Sequence, residues 1–597
     1  MISKMTKYSF ILLSGDKDSF IEKLGALGLV DIVRSSKPVD DASHGMMAEI
    51  EQLGSLIQGL QNADVPEGTV PEPISKDIVS QASEVLQQYS EDRNAIRELE
   101  KEVESLHVWG NFDRTILDKL SDAGVPLHFH VLTQKAFQED WAGDYALSVI
   151  SKGKTHIYFV VAGEDNLPGE IPVPDVNSKQ KEAELEEKKK HFLKVLSLIA
   201  DAKKHIPELQ ERRDKAYVKL DHYLANNTAV SAAEDTIATL VGYAPTEQDA
   251  VVSEALEQAG VFYIKDAATV EDRPPISLKN NKFTRMFTVL TDMYGRPEYN
   301  GFDPTPYISV FFMLFFAFCM GDAGYGIALA GVGLLLRKSK GMASLAPLVV
   351  TLGIATTVIG FLFHTFFSMD IAQWECMAPF RSIFLPSKIA GYDGTMVLAI
   401  LVGIFHICLA LIVKTIYATK NHGFLGSLGT WGWTLLIVGG IIVGGLSLGG
   451  VLEATLTKWI IIAIGVLSAL GIFFLNDLHR NPLVNFGAGL WETYNTATGL
   501  LGDVLSYLRL YALGLAGAML GFAFNDLGAK VLGDGAIMNW IFFILIVLIG
   551  HVLNMAMAAL GAFVHPLRLN FLEFFKNSGY EGGARIYDPL KNDKKTE

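Results

Sequence analysis

TATGLLGDVLSYLRLYALGLAGAMLGFAF, residues Thr496 to Phe524, is apolar over enough length to cross a bilayer and carries Arg509 near its middle. A hydrocarbon core takes about 20 helical residues. The stretch therefore reads as a membrane-spanning helix and marks the second half of the chain as a helical membrane bundle. A guanidinium cannot shed its charge, and holding it at mid-helix costs roughly 2.5–3.5 kcal/mol on insertion scales. Such a group needs a partner. Asp503 stands six residues earlier, off the three-or-four spacing that puts two residues on one helix face. The natural candidate is a carboxylate presented by another subunit within the membrane.

Working outward, further apolar runs follow Pro304, and the expected spans lie near 306–321, 322–338, 345–368, 395–417, 430–449, 455–475, 496–525 and 537–564. The first two are short; Gly321, Gly324 and Gly326 around Asp322 mark where a single long helix would break. With eight spans, Arg337, Lys338 and Lys340, then Lys420, then His479 and Arg480, all fall on the side of the N-terminal half, as the positive-inside bias requires. Seven spans would break that agreement.

The 597-residue chain is 50% hydrophobic and 19% charged, but its first 300 or so residues have ordinary soluble composition, rich in Lys and Glu. A net charge of −15 argues against a nucleic-acid partner. Three cysteines, Cys319, Cys376 and Cys408, are too sparse for a disulfide framework or a zinc site. The opening MISKMTKYSFILLSGDKDSF has too short an apolar core for a signal peptide, so the N-terminal half is expected to stay on the side of synthesis. Residues 5 to 33 read as a strand and short helix, a small α+β lobe completed by strands near 126–133 and 155–162; a second lobe at 229–266 turns at Gly242-Tyr243-Ala244-Pro245.

Between them the periodicity is helical. Met46, Ile50, Leu53, Ile57 and Leu60 recur at three and four, as do Val85, Tyr89, Ile96, Leu99, Val103 and Leu106. Leu185, Phe192, Ile199, Ile206 and Leu220 hold one heptad position, and Val195, Ala202, Leu209, Ala216 and Tyr223 the other, a coiled-coil seam flanked by Lys and Glu. Pro207 is expected to bend it. An amphipathic helix on a globular core is the alternative, but the sustained charge-flanked heptads favour an extended antiparallel rod.

The fold expected is thus mainly α, with two small α+β lobes joined by a long antiparallel coiled-coil arm and followed by a transmembrane bundle. Its parts are a cytoplasmic arm over 1–266, a proline-rich linker over 267–305, a membrane domain over 306–576 and a cytoplasmic tail over 577–597.

Polar groups at membrane depth normally face a bundle interior or a wet cavity. Here they are Asp322, His364, His406, Glu492, Asp503, Arg509, His551, His565, Arg568 and Glu573. Asp322 reads as a helix-capping residue. Each histidine taken alone reads as a hydrogen-bonded core residue more readily than as a proton carrier. Arg568 reads either as a snorkelling interface residue or, because apolar residues continue past Asn570, as a deeper charge. The only Gly-Lys-Thr begins at Gly153 and has Ser148 where a phosphate-binding loop needs glycine. Any energy from ATP must come from elsewhere.

Several stretches resemble subunit I, or subunit a, of the V-type and A-type rotary ATPases: Leu278 to Phe283, Leu290 to Gly295, Asp303 to Pro306, Gly321 to Gly326, and Gly403 with His406. The strongest are Ser506-Tyr507-Leu508-Arg509-Leu510 with Ala512 to Ala516, and His565-Pro566-Leu567-Arg568-Leu569 with Glu573-Phe574. The resemblance implies that Arg509 is the family's essential stator arginine and Arg568 its supporting one. It implies a non-catalytic stator subunit carrying H⁺ or Na⁺ past a proteolipid rotor ring (subunit c/K), with an eight-helix membrane domain whose last two helices are long and tilted. Implied partners are peripheral-stalk coiled-coil subunits of the E and G type, a central-stalk subunit of the d or C type, the catalytic A and B subunits indirectly, and lipid, with no cofactor. Glu492, Asp503, His551, His565 and Glu573 are the candidate half-channel residues. Location would be a bacterial or archaeal cell membrane, multi-pass, with both termini cytoplasmic. Asn570, Gly517 and Ala558 depart from relatives that carry His, His and Glu there, so the family's ion route is not carried over at those positions. The alternative is a secondary ion-coupled transporter with a cytoplasmic coiled-coil arm, which would show paired broken helices; one Gly-rich break is found.

Overall fold

The computed structural model describes all residues except 36, 67, 74–76, 111, 139, 154, 165, 173–177, 233–235, 340, 477–480, 534–536 and 593–597. Lys154 of the Gly-Lys-Thr, and Lys340, His479 and Arg480 of the charge-asymmetry argument, lie outside the described residues. The chain divides into two compact units, one made of Met1–Val33 with Val230–Leu590 and the other of Arg34–Ala229.

The strands in chain order are β1 (Met5–Leu13), β2 (Asp31–Ile32), β3 (Leu127–Thr133), β4 (Ala146–Lys152), β5 (His156–Ala162), β6 (Glu170–Ile171), β7 (Val230–Ala232), β8 (Ile237–Pro245) and β9 (Phe262–Ala267). In the first unit the order is β2-β8-β1-β9, with β7 also on β8. β1 alternates cleanly, and its Tyr8 and Phe10 are fully buried, Phe10 edge-on to Phe20 of the following helix. The N-terminal strand therefore pairs with β8 and β9, from Met5↔Pro245 to Leu13↔Ile237 and from Thr6↔Ala267 to Ile11↔Phe262, and not with the strands near 126–133 and 155–162 as its sequence position suggested. Those strands make a separate sheet, β4-β5-β3-β6, in the second unit. Gly242 to Pro245 is likewise strand, not turn. Gly242 is required there because a Cβ would meet Val30 Cγ1 at 2.7 Å.

β2 and β7 share one edge of β8 and run the same way along it: Asp31↔Tyr243 and Ile32↔Gly242, then Val230↔Thr239 to Ala232↔Ile237. They are two halves of one edge strand, and everything from Arg34 to Ala229 is inserted between them.

In the second unit the helices pair antiparallel. Ile78–His107 packs on Ser178–Ala202, with Tyr89 stacked on Phe192 and Lys189 paired with Glu100 at 3.0 Å. Asp41–Asn62 packs on Ile206–Asn227, with Ile50 buried against Leu220 and Leu224. The seam residues Val195, Ile199, Ala202 and Leu209 are buried as the heptads require. Pro207 does not bend a continuous helix. A single 3₁₀ turn, Lys203–His205, ends one helix, and Pro207 stands in the first turn of the next, where its missing N–H costs nothing.

In the first unit, five stretches among the described residues are long and apolar enough to cross a membrane: Gly394–Gly426, Leu428–Leu448, Ala454–Phe473, Pro482–Leu532 and Ile537–Ser578. Three shorter apolar helices, Thr305–Met320, Ala323–Leu336 and Ala346–Leu362, fall where the first three spans were expected. The first two are separate, with Gly321 left-handed at φ 53° ending one and Asp322 capping the next. Residues beyond 579 return to the start of this unit: Gly582–Ala584 pairs with Arg296–Pro297, and the Leu590 N–H donates to the Val30 carbonyl.

Candidate functional site

The helix carrying Arg509 is interrupted one turn before it matters. Pro482–Ser506 ends and Leu508–Leu532 begins at Tyr507, whose ring is fully buried. The Tyr507 hydroxyl lies 2.9 Å from His406 Nδ1. The His406 ring is itself stacked between Phe311, at 4.0 Å, and Phe574, at 4.7 Å. Gly403, one turn before His406, leaves the room for Tyr507, since a Cβ there would stand 2.3 Å from the ring. A buried aromatic clamp thus fixes the residue two positions before Arg509.

Arg509 is partly exposed, its Nη1 is buried without a hydrogen-bond partner, and among the described residues no ion pair includes it. Two residues of the neighbouring helix end up close to it. His565 lies in the field of both Arg509 and Arg568, and its Nδ1 is buried without a partner. Glu573, 4% exposed, has Ser506, Arg509 and Asp503 as its polar neighbours, and its Oε2 has no hydrogen bond. Arg568 is exposed, on the last position of Ile537–Arg568.

The backbone changes register here. Pro566 sits inside the helix, and Leu569–Phe574 is a π-helix, a widened turn common at functional sites. Asn570 donates from Nδ2 to the Pro566 carbonyl at 2.9 Å, supplying a bond to the widened turn. The widening brings Glu573 to the Arg509 side while Arg568 stays outward.

Two cavities flank Arg509 along its helix. One, about 240 Å³, is lined before it by Glu492, Thr496 and Asp503, together with Lys414, Lys576 and Asn577. The other, about 200 Å³ and mainly apolar, is lined after it by Leu510, Gly514 and Ala518 with Gly321, His364 and Asp393. In the first, Asp503 is held by Lys576 Nζ at 3.3 Å and by Asn577 Nδ2 at 2.8 Å, and Glu492 accepts from Asn476 at 3.2 Å. Asp503 is therefore engaged away from Arg509, in keeping with its spacing.

His551 belongs to neither cavity. It lies between Tyr325, 2.7 Å from Nδ1, and Asn525, 2.9 Å from Nε2. Asp322 caps its helix through the Gly324 and Tyr325 N–H groups. Sequence reading looked for ionisable groups in apolar runs and so passed over Tyr325, Asn525 and Asn554. The signal was there: two amides inside otherwise apolar helices. Lys576 and Asn577 were passed over because they follow the last apolar run. Among the described residues, no group of three or more His, Cys, Asp or Glu is placed to hold a metal ion.

With this geometry in hand, comparison with known proteins is specific. The model of the V-type ATPase 116 kDa subunit family matches residues 153–376. A V-type ATP synthase subunit I of Borreliella burgdorferi is 25% identical over 100% of both chains, and V-type ATP synthase subunit I 1 of Treponema pallidum is 24% identical over 99% of this chain and 100% of its own. An A-type ATP synthase subunit I of Methanocaldococcus jannaschii is 31% identical over 54% of this chain and 49% of its own, so this chain spans about half of that archaeal relative. A crystal structure of the cytoplasmic N-terminal domain of subunit I, homolog of subunit a, of V-ATPase aligns with 44% of this chain at 14% identity and a TM-score of 0.18, too low to bear on the fold. The family model over residues 153–376 and the relatives aligned end to end agree: the chain is similar to subunit I of the V-type and A-type ATP synthases.

Proposed function

We propose that this membrane protein is the subunit I of a V/A-type rotary ATPase, the stator through which H⁺ or Na⁺ crosses the membrane against a proteolipid ring. It is non-catalytic by itself. One observation carries the reading: a buried guanidinium nitrogen without a partner, held between two separate cavities on one helix.

The physics is that of a carboxylate in a changing environment. On a ring facing lipid, an acid is stable only when neutral; burial raises its pKa by up to several units, and an adjacent arginine lowers it by about 1–3. Passing Arg509, the ring acid releases its ion into one cavity and reloads from the other, and the fixed cation blocks a direct leak between them. At 100 mV each charge moved is worth about 2.3 kcal/mol. Glu492 and Asp503 line one half-channel, Glu573 stands between that cavity and Arg509, and His565 and Arg568 flank the arginine on the next helix. His551 lines neither cavity and is left out of the ion route. Eight spans, the last two long and tilted, would form residues 306–576. Residues 1–266 would be a cytoplasmic coiled-coil arm for stalk subunits of the E and G type, reached through the 267–305 linker, with residues 577–597 cytoplasmic.

The test is Arg509→Ala and Arg509→Lys in the assembled complex. Ion pumping is expected to vanish in both while the complex still purifies intact. Coupled transport surviving in either variant would refute the assignment.

A further inference from the structure

The polar groups joining the Ala323–Leu336, Leu508–Leu532 and Ile537–Arg568 helices form one directed chain, and its fixed ends force the directions. Asn525 donates from Nδ2 to the Phe367 carbonyl at 2.9 Å, so its Oδ1 faces His551 Nε2 at 2.9 Å and that nitrogen carries a hydrogen. In the neutral ring Nδ1 then accepts, taking the Tyr325 hydroxyl 2.7 Å away. The Tyr325 oxygen accepts in turn from Asn554 at 2.8 Å, whose second amide hydrogen goes to the Gly517 carbonyl at 2.8 Å. A carboxamide does not take up and pass on a proton, so the chain is closed at Asn525. Within this chain of groups His551 exchanges protons through Tyr325.

The Asn525 end of this chain touches a loop tip, and the same tip packs on the Leu508–Leu532 helix one turn away. Phe367 accepts from Asn525, and Ser368 packs on Gly521, where a Cβ would stand 2.0 Å from its hydroxyl. Asp322 grips the same tip by accepting the Phe367 and Ser368 N–H groups at 2.9 and 2.6 Å. His364, Phe367 and Ser368 are all left-handed, with φ of 51°, 46° and 59°, a conformation that non-glycine residues hold only when their surroundings impose it. The Ser368 hydroxyl is buried against Tyr325 and interacts with it, but without a well-aligned hydrogen bond.

We propose that His551 is a dead-end proton-binding site whose occupancy is read by the 364–370 loop. A proton from solvent reaches Nδ1 as the Tyr325 O–H breaks toward it and re-forms with the incoming proton, and that nitrogen becomes a donor. The Tyr325 oxygen then accepts from both His551 and Asn554, and its O–H turns to Ser368 Oγ, with no net bond other than N–H formed. The Ser368 hydroxyl gains a well-aligned bond, the contact of Nε2–H with Asn525 becomes charge-assisted, and the loop tightens. The other titratable groups facing this region are Asp322, Tyr325, the His364–Asp370 pair at 2.9 Å and Asp526, which is paired with Lys530 at 2.7 Å.

Hydrogen exchange of the full-length chain in lipid nanodiscs, followed by mass spectrometry on peptides covering 364–370, reads the loop whether or not ions cross the membrane. It is therefore independent of the transport reading. After correction for intrinsic rates, protection of this segment is expected to rise roughly five- to tenfold between about pH 8 and about pH 5, the range in which imidazoles titrate and the size of one added buried hydrogen bond. His551→Gln and Ser368→Ala are each expected to abolish the rise, and His364→Gln to preserve it. Ser368→Ala removes only the waiting acceptor, so it stays informative if His551→Gln does not fold. No rise in the parent chain, a rise that persists in Ser368→Ala, or one lost only in His364→Gln would overturn the proposal.

Discussion

Gly403 holds the clamp beside the unpaired cation open by having no side chain. Its alanine variant would place a methyl group 2.3 Å from the Tyr507 ring, which is fully buried and bonded to His406. Overpacking of this kind costs about 1–3 kcal/mol. Gly403→Ala is expected to lower the thermal midpoint of the membrane unit and, by moving Tyr507, to impair transport without touching Arg509. A variant with unchanged stability and full transport would show that Tyr507 does not position the arginine. Arg509 itself was legible because a permanent charge inside an apolar run has no cheap explanation. Tyr325, Asn525 and Asn554 were not, since neutral polar groups blend into apolar runs, and nothing in spacing aligns Tyr325 with His551 or Asn554, 226 and 229 positions away.

At the level of elements, β1 is anchored by an ion pair that reports on acid stability. Lys7 Nζ lies 2.5 Å from Asp272 Oδ1, and Thr269 adds two hydrogen bonds to the other oxygen. These contacts, Lys7 first, hold the Asp272 carboxyl down at about 2, against an ordinary 3.8. A depressed carboxyl stabilises the fold fully above its unfolded value and loses that contribution as pH falls through the folded one. Asp272→Asn is therefore expected to be less stable than the parent at neutral pH, with the gap closing between about pH 4 and about pH 2. Denaturant titrations at stepped pH would check it; a gap independent of pH counts against the ion pair. The heptads located the helix pairs, because burial at positions such as Val195 and Ile199 follows from periodicity alone. The partners of β1 were illegible for the opposite reason: alternation marks a strand but does not name its neighbour. The correct neighbours lie more than 220 residues away, past an inserted unit.

That insertion is a property of the whole molecule. The chain leaves the sheet after β2, where the Val33 N–H meets the Val241 carbonyl, and re-enters at Val230 opposite Thr239. The gap is two rows along one strand, roughly 7 Å at about 3.3 Å per residue. Replacing Arg34–Ala229 by a linker of a few residues is expected to leave the first unit folded, with β2 and β7 fused into one edge strand. Circular dichroism and hydrogen exchange of β1 and β8 would check this, and loss of protection there would show that the inserted unit is needed for the sheet.

The three shortest apolar helices have one more consequence. Thr305–Met320, Ala323–Leu336 and Ala346–Leu362 have 16, 14 and 17 residues, or about 21–26 Å at 1.5 Å per residue, against a hydrocarbon slab of about 30 Å. If they cross the membrane as proposed, lipid beside them would pinch inward and draw solvent toward mid-depth from both faces on the flank nearest Asp322. Reconstitution in acyl chains of graded length should then reveal an optimum on the thin side of an ordinary membrane, with turnover falling as the tails lengthen.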